Sequence, residues 1–74
     1  MELNLKGTQI LFDRDTTEGI EYVGIAASGT TTATAQWQIK AIALENDKPV
    51  SIKFAEGTAD AIHKWDDRAT LAYS

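Results

Sequence analysis

Short segments in which apolar and polar residues alternate recur along this chain, and they limit its fold more than any other feature. A period of two places every second side chain on the same face of a β-strand. Helical spacing of apolar residues is nearly absent, threonine occurs nine times, and β-branched and aromatic residues supply most of the apolar bulk. The sequence therefore predicts a mainly β fold.

Five or six short strands follow from this alternation. The strongest pair is 36–44 and 50–55, which the polar turn at 45–49 joins into an antiparallel hairpin. The first strand of this pair gains apolar residues on its second face toward its end, which indicates burial on both faces or a bulge. The other strands are expected at residues 2–6, 8–14, 20–27 and 69–73.

Three local signals complete the expected architecture. Gly24 lies in the middle of its strand, where glycine indicates a bulge or a close approach of another part of the chain. Thr58 suits the N-cap of a short helical turn near residues 58–65, and the small polar segment 28–35 favours a flexible loop. The predicted fold class is a small antiparallel sheet, sandwich or barrel-like, with one short helical turn.

The chain has little apolar material for a core. Its 74 residues allow a single domain, residues 1–74, and 43% of them are apolar, but eleven of these are alanine. Domains below roughly 70–80 residues gain little net stability from a core alone and often add disulfides, metals or oligomerisation. There is no cysteine and only one histidine. We therefore expect association with itself or with a larger protein to stabilise it.

The expected core includes the largest side chains of the predicted strands. For Trp37 and Trp65, burial is the simpler interpretation, and a solvent-exposed platform for sugar or protein is the alternative. The residues assigned to the core or to a structural role are Tyr22, Gly24, Trp37, Ile39, Ile42, Ile52, Phe54 and Leu71.

A charged tetrapeptide that begins at Trp65 is the strongest candidate for an interaction site. One interpretation is a local turn in which Arg68 pairs with a carboxylate and fixes the last strand. The alternative is a contact with a partner, to which arginine can donate two parallel hydrogen bonds. The candidate interaction residues are Trp65, Asp66, Asp67, Arg68 and Tyr73.

Catalytic and ligand-binding patterns are weak. Asp13, Asp15 and Glu18 begin like a calcium loop, but the required glycine and glutamate are missing, so a solvated acidic turn is expected. His63 lies near several carboxylates, but zinc sites need more ligands than this chain offers, and a surface histidine is expected. The sequence predicts no enzyme activity, cofactor, metal site or small-molecule substrate.

Charge and hydropathy restrict the partners and the location. The net charge is −4 and the seven basic residues are scattered, whereas phosphate binding needs clustered lysine and arginine. The first residues lack the regions of a signal peptide, and no stretch is apolar enough to span a membrane. We expect a soluble protein made in a cytoplasm and not secreted, with neither nucleic acid nor membrane as a partner.

Several spaced motifs resemble a family of small bacteriophage proteins. They are Y-V-G-I-A-A from Tyr22 with Gly29 after it, W-Q-I-K-A-I from Trp37, I-K-F-A-E-G from Ile52, and W-D-D-R-A-T-L-A-Y-S from Trp65. The resemblance covers residues 20–74 and leaves residues 1–19 outside the pattern. It implies a virion-associated accessory protein of the capsid, neck or tail, and it supplies no catalytic residues.

Three functions are open on this basis. The first is a phage structural protein located in the virion, whose partner is itself or a larger virion protein. The second is a small acidic inhibitor that binds a host protein, for example by imitating DNA, although most of the acidic residues fall in predicted turns. The third is a receptor-binding or carbohydrate-binding module that uses Trp37 or Trp65.

Overall fold

Four antiparallel strands form a single sheet in the computed structural model, which describes residues 7–74. Each strand pairs with the next along the chain, so the order is β1-β2-β3-β4. The prediction of a mainly β, antiparallel fold is confirmed, and the sheet is open rather than closed into a barrel. The strands are β1 (Thr8–Asp15), β2 (Ile20–Ala27), β3 (Gln38–Glu45) and β4 (Lys48–Phe54).

The hairpin between β3 and β4 is tighter than the sequence predicts. Asn46 and Asp47 both adopt positive φ angles, 52° and 62°, which is the conformation of a two-residue turn that matches the twist of the strands. The strand therefore resumes at Lys48, and Pro49 lies within an edge strand, where a missing N–H is tolerated. The register shifts after Ala43, which confirms the irregularity expected near the end of β3.

One face of the sheet carries the core, and we call it the inner face. Gly24 pairs in register with Leu11 on β1 and with Ile39 on β3, so these three residues point to the same side. The buried cluster on this side consists of Ala26, Trp37, Ile39, Ala55 and Trp65, with Leu11, Tyr22, Leu71 and Tyr73 packed around it. The core positions expected at Tyr22, Gly24, Trp37, Ile39 and Leu71 thus lie in or against it.

The chain after β4 makes two short backbone contacts with the sheet. His63 and Trp37 exchange hydrogen bonds, with N···O distances of 2.9 and 3.2 Å. Further on, Ala55 and Tyr73 form a second isolated bridge. Between these two points the indole of Trp65 packs against the backbone of Gly24, which confirms the close approach expected at this glycine.

Two elements expected in this last segment do not form. Thr58 accepts a hydrogen bond from the N–H of Asp60, as an N-cap side chain does, but residues 58–64 do not continue into a helix. The helical structure is a single 3₁₀ turn at Trp65–Asp67. The strand expected at 69–73 is reduced to the bridge at Tyr73, since residues 68–71 form turns.

The prediction that Ile42, Ile52 and Phe54 belong to the core was wrong. Ile52 lies on the face opposite the core, where its side chain is 57% exposed, and Ile42 and Phe54 lie on the same face half-buried. The alternation of β4 places Val50, Ile52 and Phe54 on one face as predicted, but it does not reveal which face the rest of the chain covers. The strand expected at 2–6 falls outside the described residues.

Candidate interaction surface

The second face of the sheet, which we call the outer face, is apolar. Register places Phe12 beside Val23, Val23 beside Lys40, and Lys40 beside Phe54, so one row of side chains crosses all four strands. A second row runs through Ile10 and Ile25, and a third ends in Ile42 and Ile52. The apolar residues of the outer face are Ile10, Phe12, Val23, Ile25, Ile42, Val50, Ile52 and Phe54.

The margins of the outer face are its most exposed part. Phe12 on β1 is 64% exposed, and Val50 and Ile52 on β4 are each 57% exposed. Ile62 is exposed to a similar extent and precedes His63, whose pairing with Trp37 extends the sheet at that corner. Large apolar residues exposed together on one flat face are typical of a contact surface.

Three charged residues complete the outer face. Arg14 donates a hydrogen bond to Glu21 on the neighbouring strand, with an N···O distance of 3.0 Å. That hydrogen bond and the charge of Glu21 raise the pKa of Arg14 above its ordinary value. Lys40 lies in the middle of the face, with its ammonium 5.4 Å from the ring centre of Phe54. Among residues 7–74, the apolar surface therefore carries one cation without an ion-pair partner near its centre and one ion pair at its margin.

These outer-face residues were not recognised as a surface from the sequence. A signal was present, since Ile10, Leu11 and Phe12 are consecutive apolar residues of β1. In a strand with one solvated face such a run is unexpected, because alternate residues should be polar. The run therefore indicates that both faces of the strand are shielded from water by other parts of the protein or by a partner.

The tetrapeptide that begins at Trp65 holds the fold together. Arg68 donates from its Nε to Asp13 on β1, over 2.9 Å, and its guanidinium lies 4.7 Å from the Trp65 ring centre. Its carbonyl oxygen accepts a hydrogen bond from the hydroxyl of Tyr73, over 2.7 Å. The carboxylate expected to pair with Arg68 is thus Asp13, far away in sequence. Asp66 and Asp67 are exposed.

Both tryptophans are buried, as the simpler interpretation predicted. Trp37 is fully buried and its indole N–H donates to the carbonyl of Thr31, over 2.9 Å. Trp65 is 6% exposed, and the two ring centres are 6.0 Å apart. Neither indole presents a face to solvent, so neither forms the binding platform considered from the sequence.

His63 is buried, and the expectation of a surface histidine was wrong. Its side chain is drawn inward because its backbone pairs with Trp37 at the rim of the core. The Nε2 atom lies 2.9 Å from Oε1 of Glu56, while Nδ1 is buried without a hydrogen-bond partner among the described residues. The pair connects the end of β4 to the covering segment.

A depression of about 180 Å³ opens on the uncovered end of the inner face. It is lined by Ile20, Ala41, Ala43, Ser51, Lys53 and Tyr73. Burial, and secondarily the neighbouring Tyr22, raise the pKa of Tyr73 to about 12. Its hydroxyl already donates to the backbone, so Lys53 and Ser51 are the polar groups available in this depression.

The acidic turn after β1 has a structural role. The side chain of Asp15 accepts a hydrogen bond from the N–H of Glu18, which closes the turn, and Asp13 is engaged by Arg68. Among residues 7–74, no three histidine or carboxylate side chains are grouped so that they could hold a metal ion. None of the helical structure in this part of the chain has the length and apolarity of a membrane crossing.

Fold and surface together define a small β domain with one covered and one open apolar face. No protein-family model, curated protein or solved structure matches the chain.

Proposed function

We propose that this protein is a non-enzymatic structural or accessory protein of a bacteriophage particle, which assembles with itself or with a larger virion protein. The observation that carries the proposal is the apolar outer face. An exposed face of this kind lowers the free energy of a complex when a second surface removes it from water. The phage context comes from the resemblance of the spaced motifs after Tyr22.

The thin core supports the same proposal. Only seven apolar side chains are buried among the described residues: three of them are alanines, and Val23 lies on the outer face beneath its neighbours. Burying apolar area stabilises the folded state by about 25 cal/mol per Å². A partner that covers the outer face would therefore add stability beyond that of the small core. A protein built in this way is most stable in its assembly.

The two other functions have less support. The buried indoles of Trp37 and Trp65 leave a carbohydrate-binding module without its aromatic platform. A DNA mimic needs rows of carboxylates on one surface, and the outer face carries only Glu21, already paired with Arg14. An inhibitor that binds a host protein through the apolar face is kept as the alternative.

Mass spectrometry of purified phage particles tests the proposal. We expect the protein in washed virions in many copies, at a fixed ratio to the major capsid or tail protein. Absence from washed virions, together with recovery in complex with one host protein from infected cells, would overturn the proposal in favour of the inhibitor.

A matched pair of variants connects the virion to the outer face. Ile52→Lys adds a charge to the outer face, and Ser51→Lys adds the same charge to the preceding residue of β4, on the opposite face. Both positions are exposed, so neither variant is expected to unfold the domain. We expect fewer copies of the Ile52→Lys protein per particle, and an unchanged number for Ser51→Lys.

A further inference from the structure

We propose that the outer face binds a second copy of this chain, so that two sheets pack face to face around a two-fold axis. This inference rests on the proposed function and deepens it, since it names the surface and the partner used in self-assembly. Sheets with one apolar face pack in this way at a separation of about 10 Å.

The size of the face suits a dimer. Its four strands are seven or eight residues long. At about 4.8 Å between strands and 3.3 Å per residue, they present roughly 500 Å² before side-chain relief is counted. Two such faces bury about 1,000 Å² or more, which is the area at which specific interfaces begin.

The middle row of the face is complementary to itself. A two-fold axis that runs parallel to the strands, between β2 and β3, exchanges β1 with β4 and β2 with β3. In the row that crosses the sheet, Phe12 of one copy then lies on Phe54 of the other. Aromatic rings placed in this way attract each other beyond the area they bury.

The same axis brings a carboxylate within reach of the Lys40 ammonium at the centre of the face. It places Lys40 of one copy over Val23 of the other, because these two residues are partners in register. Glu21 is the next residue on that face of β2, about 7 Å along the strand, which a lysine side chain can span. Lys40 would thus share the carboxylate of Glu21 with Arg14 of that copy, whereas stacking against an uncharged apolar surface would leave it desolvated and unpaired.

The β4 edge of the sheet is a poorer place for a second copy. β4 carries Pro49, which lacks an N–H, and its last residues are bonded to the C-terminal segment: the N–H groups of Glu56 and Ser74 donate to Ala72 and Phe54. Proline and covering segments of this kind prevent edge-to-edge pairing. The flat face offers a second copy more apolar area than this edge does.

Sedimentation equilibrium of the full chain tests the proposal. The axis places residue 52 of one copy over Arg14 of the other, because the two residues end the same row of the sheet. We expect a monomer–dimer equilibrium for the wild type and for Ser51→Lys. We expect Ile52→Lys to raise the dissociation constant roughly 100-fold or more, since it places two like charges against each other in the interface. A wild-type monomer at every concentration, or a dimer that Ile52→Lys leaves intact, would overturn the proposal and assign the face to another protein or to residues 1–6.

A cysteine pair tests the two-fold arrangement even where Ile52→Lys is poorly folded. The chain has no cysteine, so Phe12→Cys combined with Phe54→Cys introduces the only thiols. Within one chain these positions are three strands apart, about 14 Å, whereas the axis places the backbone of residue 12 about 10 Å from that of residue 54 in the other copy. Neither distance suits a disulfide, so a bifunctional thiol reagent with a reach of about 10 Å is used. We expect it to give covalent dimers, and none for Phe12→Cys combined with Ser51→Cys; the reverse result would overturn the proposal.

The two proposals fail in different ways. If the protein is a monomer in solution but is present in washed virions, and Ile52→Lys still lowers its copy number, the face binds a larger virion protein. The function is then retained and the second copy is rejected. If the dimer forms but virions lack the protein, the dimer is retained and the virion function is rejected.

Discussion

Replacing Gly24 by alanine should destabilise the domain, because no room exists for a methyl group between the sheet and the indole that packs on it. A Cβ at this position would overlap Cε3 of Trp65 and would lie 2.7 Å from Cζ3 of the same ring. It would also lie 3.1 Å from Cε3 of Trp37, which is fully buried and has no space into which to move. Something in the core must therefore shift.

The expected cost follows from two opposing effects. Overpacking of a close-packed core costs about 1–3 kcal/mol, and contact with a rigid ring places this site near the upper end. Alanine in a strand gains up to about 1 kcal/mol over glycine through lower chain entropy. The net loss is about 2 kcal/mol, a large share of the roughly 4–11 kcal/mol expected for a domain of 74 residues.

Urea unfolding followed by tryptophan fluorescence measures this loss. With a slope of about 1 kcal/mol per M, the midpoint should fall by about 2 M. The wild type and the variant are compared at one protein concentration, because self-association would shift the midpoint.

The same substitution in a protein that lacks the Trp65 ring tests whether the clash with that ring causes the loss of stability. In a Trp65→Leu protein the ring is absent and the 3.1 Å contact with Trp37 remains, so Gly24→Ala should cost clearly less than in the wild type, and Trp37 still reports unfolding. An equal loss in both backgrounds, or no loss in the wild type, would refute the packing of Trp65 on Gly24.

Three further predictions concern the groups that hold the covering segment. His63→Ala should lower the free energy of unfolding by about 1–3 kcal/mol in urea, because it leaves a cavity and removes the contact with Glu56; an unchanged midpoint would mean that the ring is not buried. Arg68→Met should cost about 1 kcal/mol through the lost hydrogen bond to Asp13, and an Asp13→Asn change made in the same protein should then add little. Tyr73→Phe should alter the response to alkali. Burial raises the pKa of Tyr73 from 10.0 to about 12, so the folded state holds this proton more tightly than the unfolded chain. That contribution is complete below pH 10 and is lost as the pH rises through 12, so the wild type should lose stability faster than Tyr73→Phe over this range; parallel curves would contradict it.

Much of the fold was predictable because its signals are local. Period-two alternation and turn residues identified β1, β2 and the β3–β4 hairpin to within two residues at each end. The glycine at position 24 indicated a close approach because a missing side chain in a strand usually leaves room for something else. Burial of Trp37 followed from its size.

The covering segment was predicted poorly, because its conformation depends on distant contacts. Thr58 does act as a local cap, yet the residues after it bond to Trp37 instead of forming a helix. Arg68 donates a hydrogen bond to the carboxylate of Asp13, which lies 55 residues earlier in the chain. No local pattern contains such information, so the burial of His63 and the position of the helical turn could not be read in advance.

The sequence by itself determined the strands, their turns and the presence of apolar side chains on both sides of the sheet. Only the tertiary structure decided which side is the core. Alternation treats the two faces of a strand alike, and the choice is made where Trp65 reaches the gap over Gly24 and brings the C-terminal segment onto the inner face. Since that single segment covers one face, Phe12, Val50 and Ile52 remain exposed on the other.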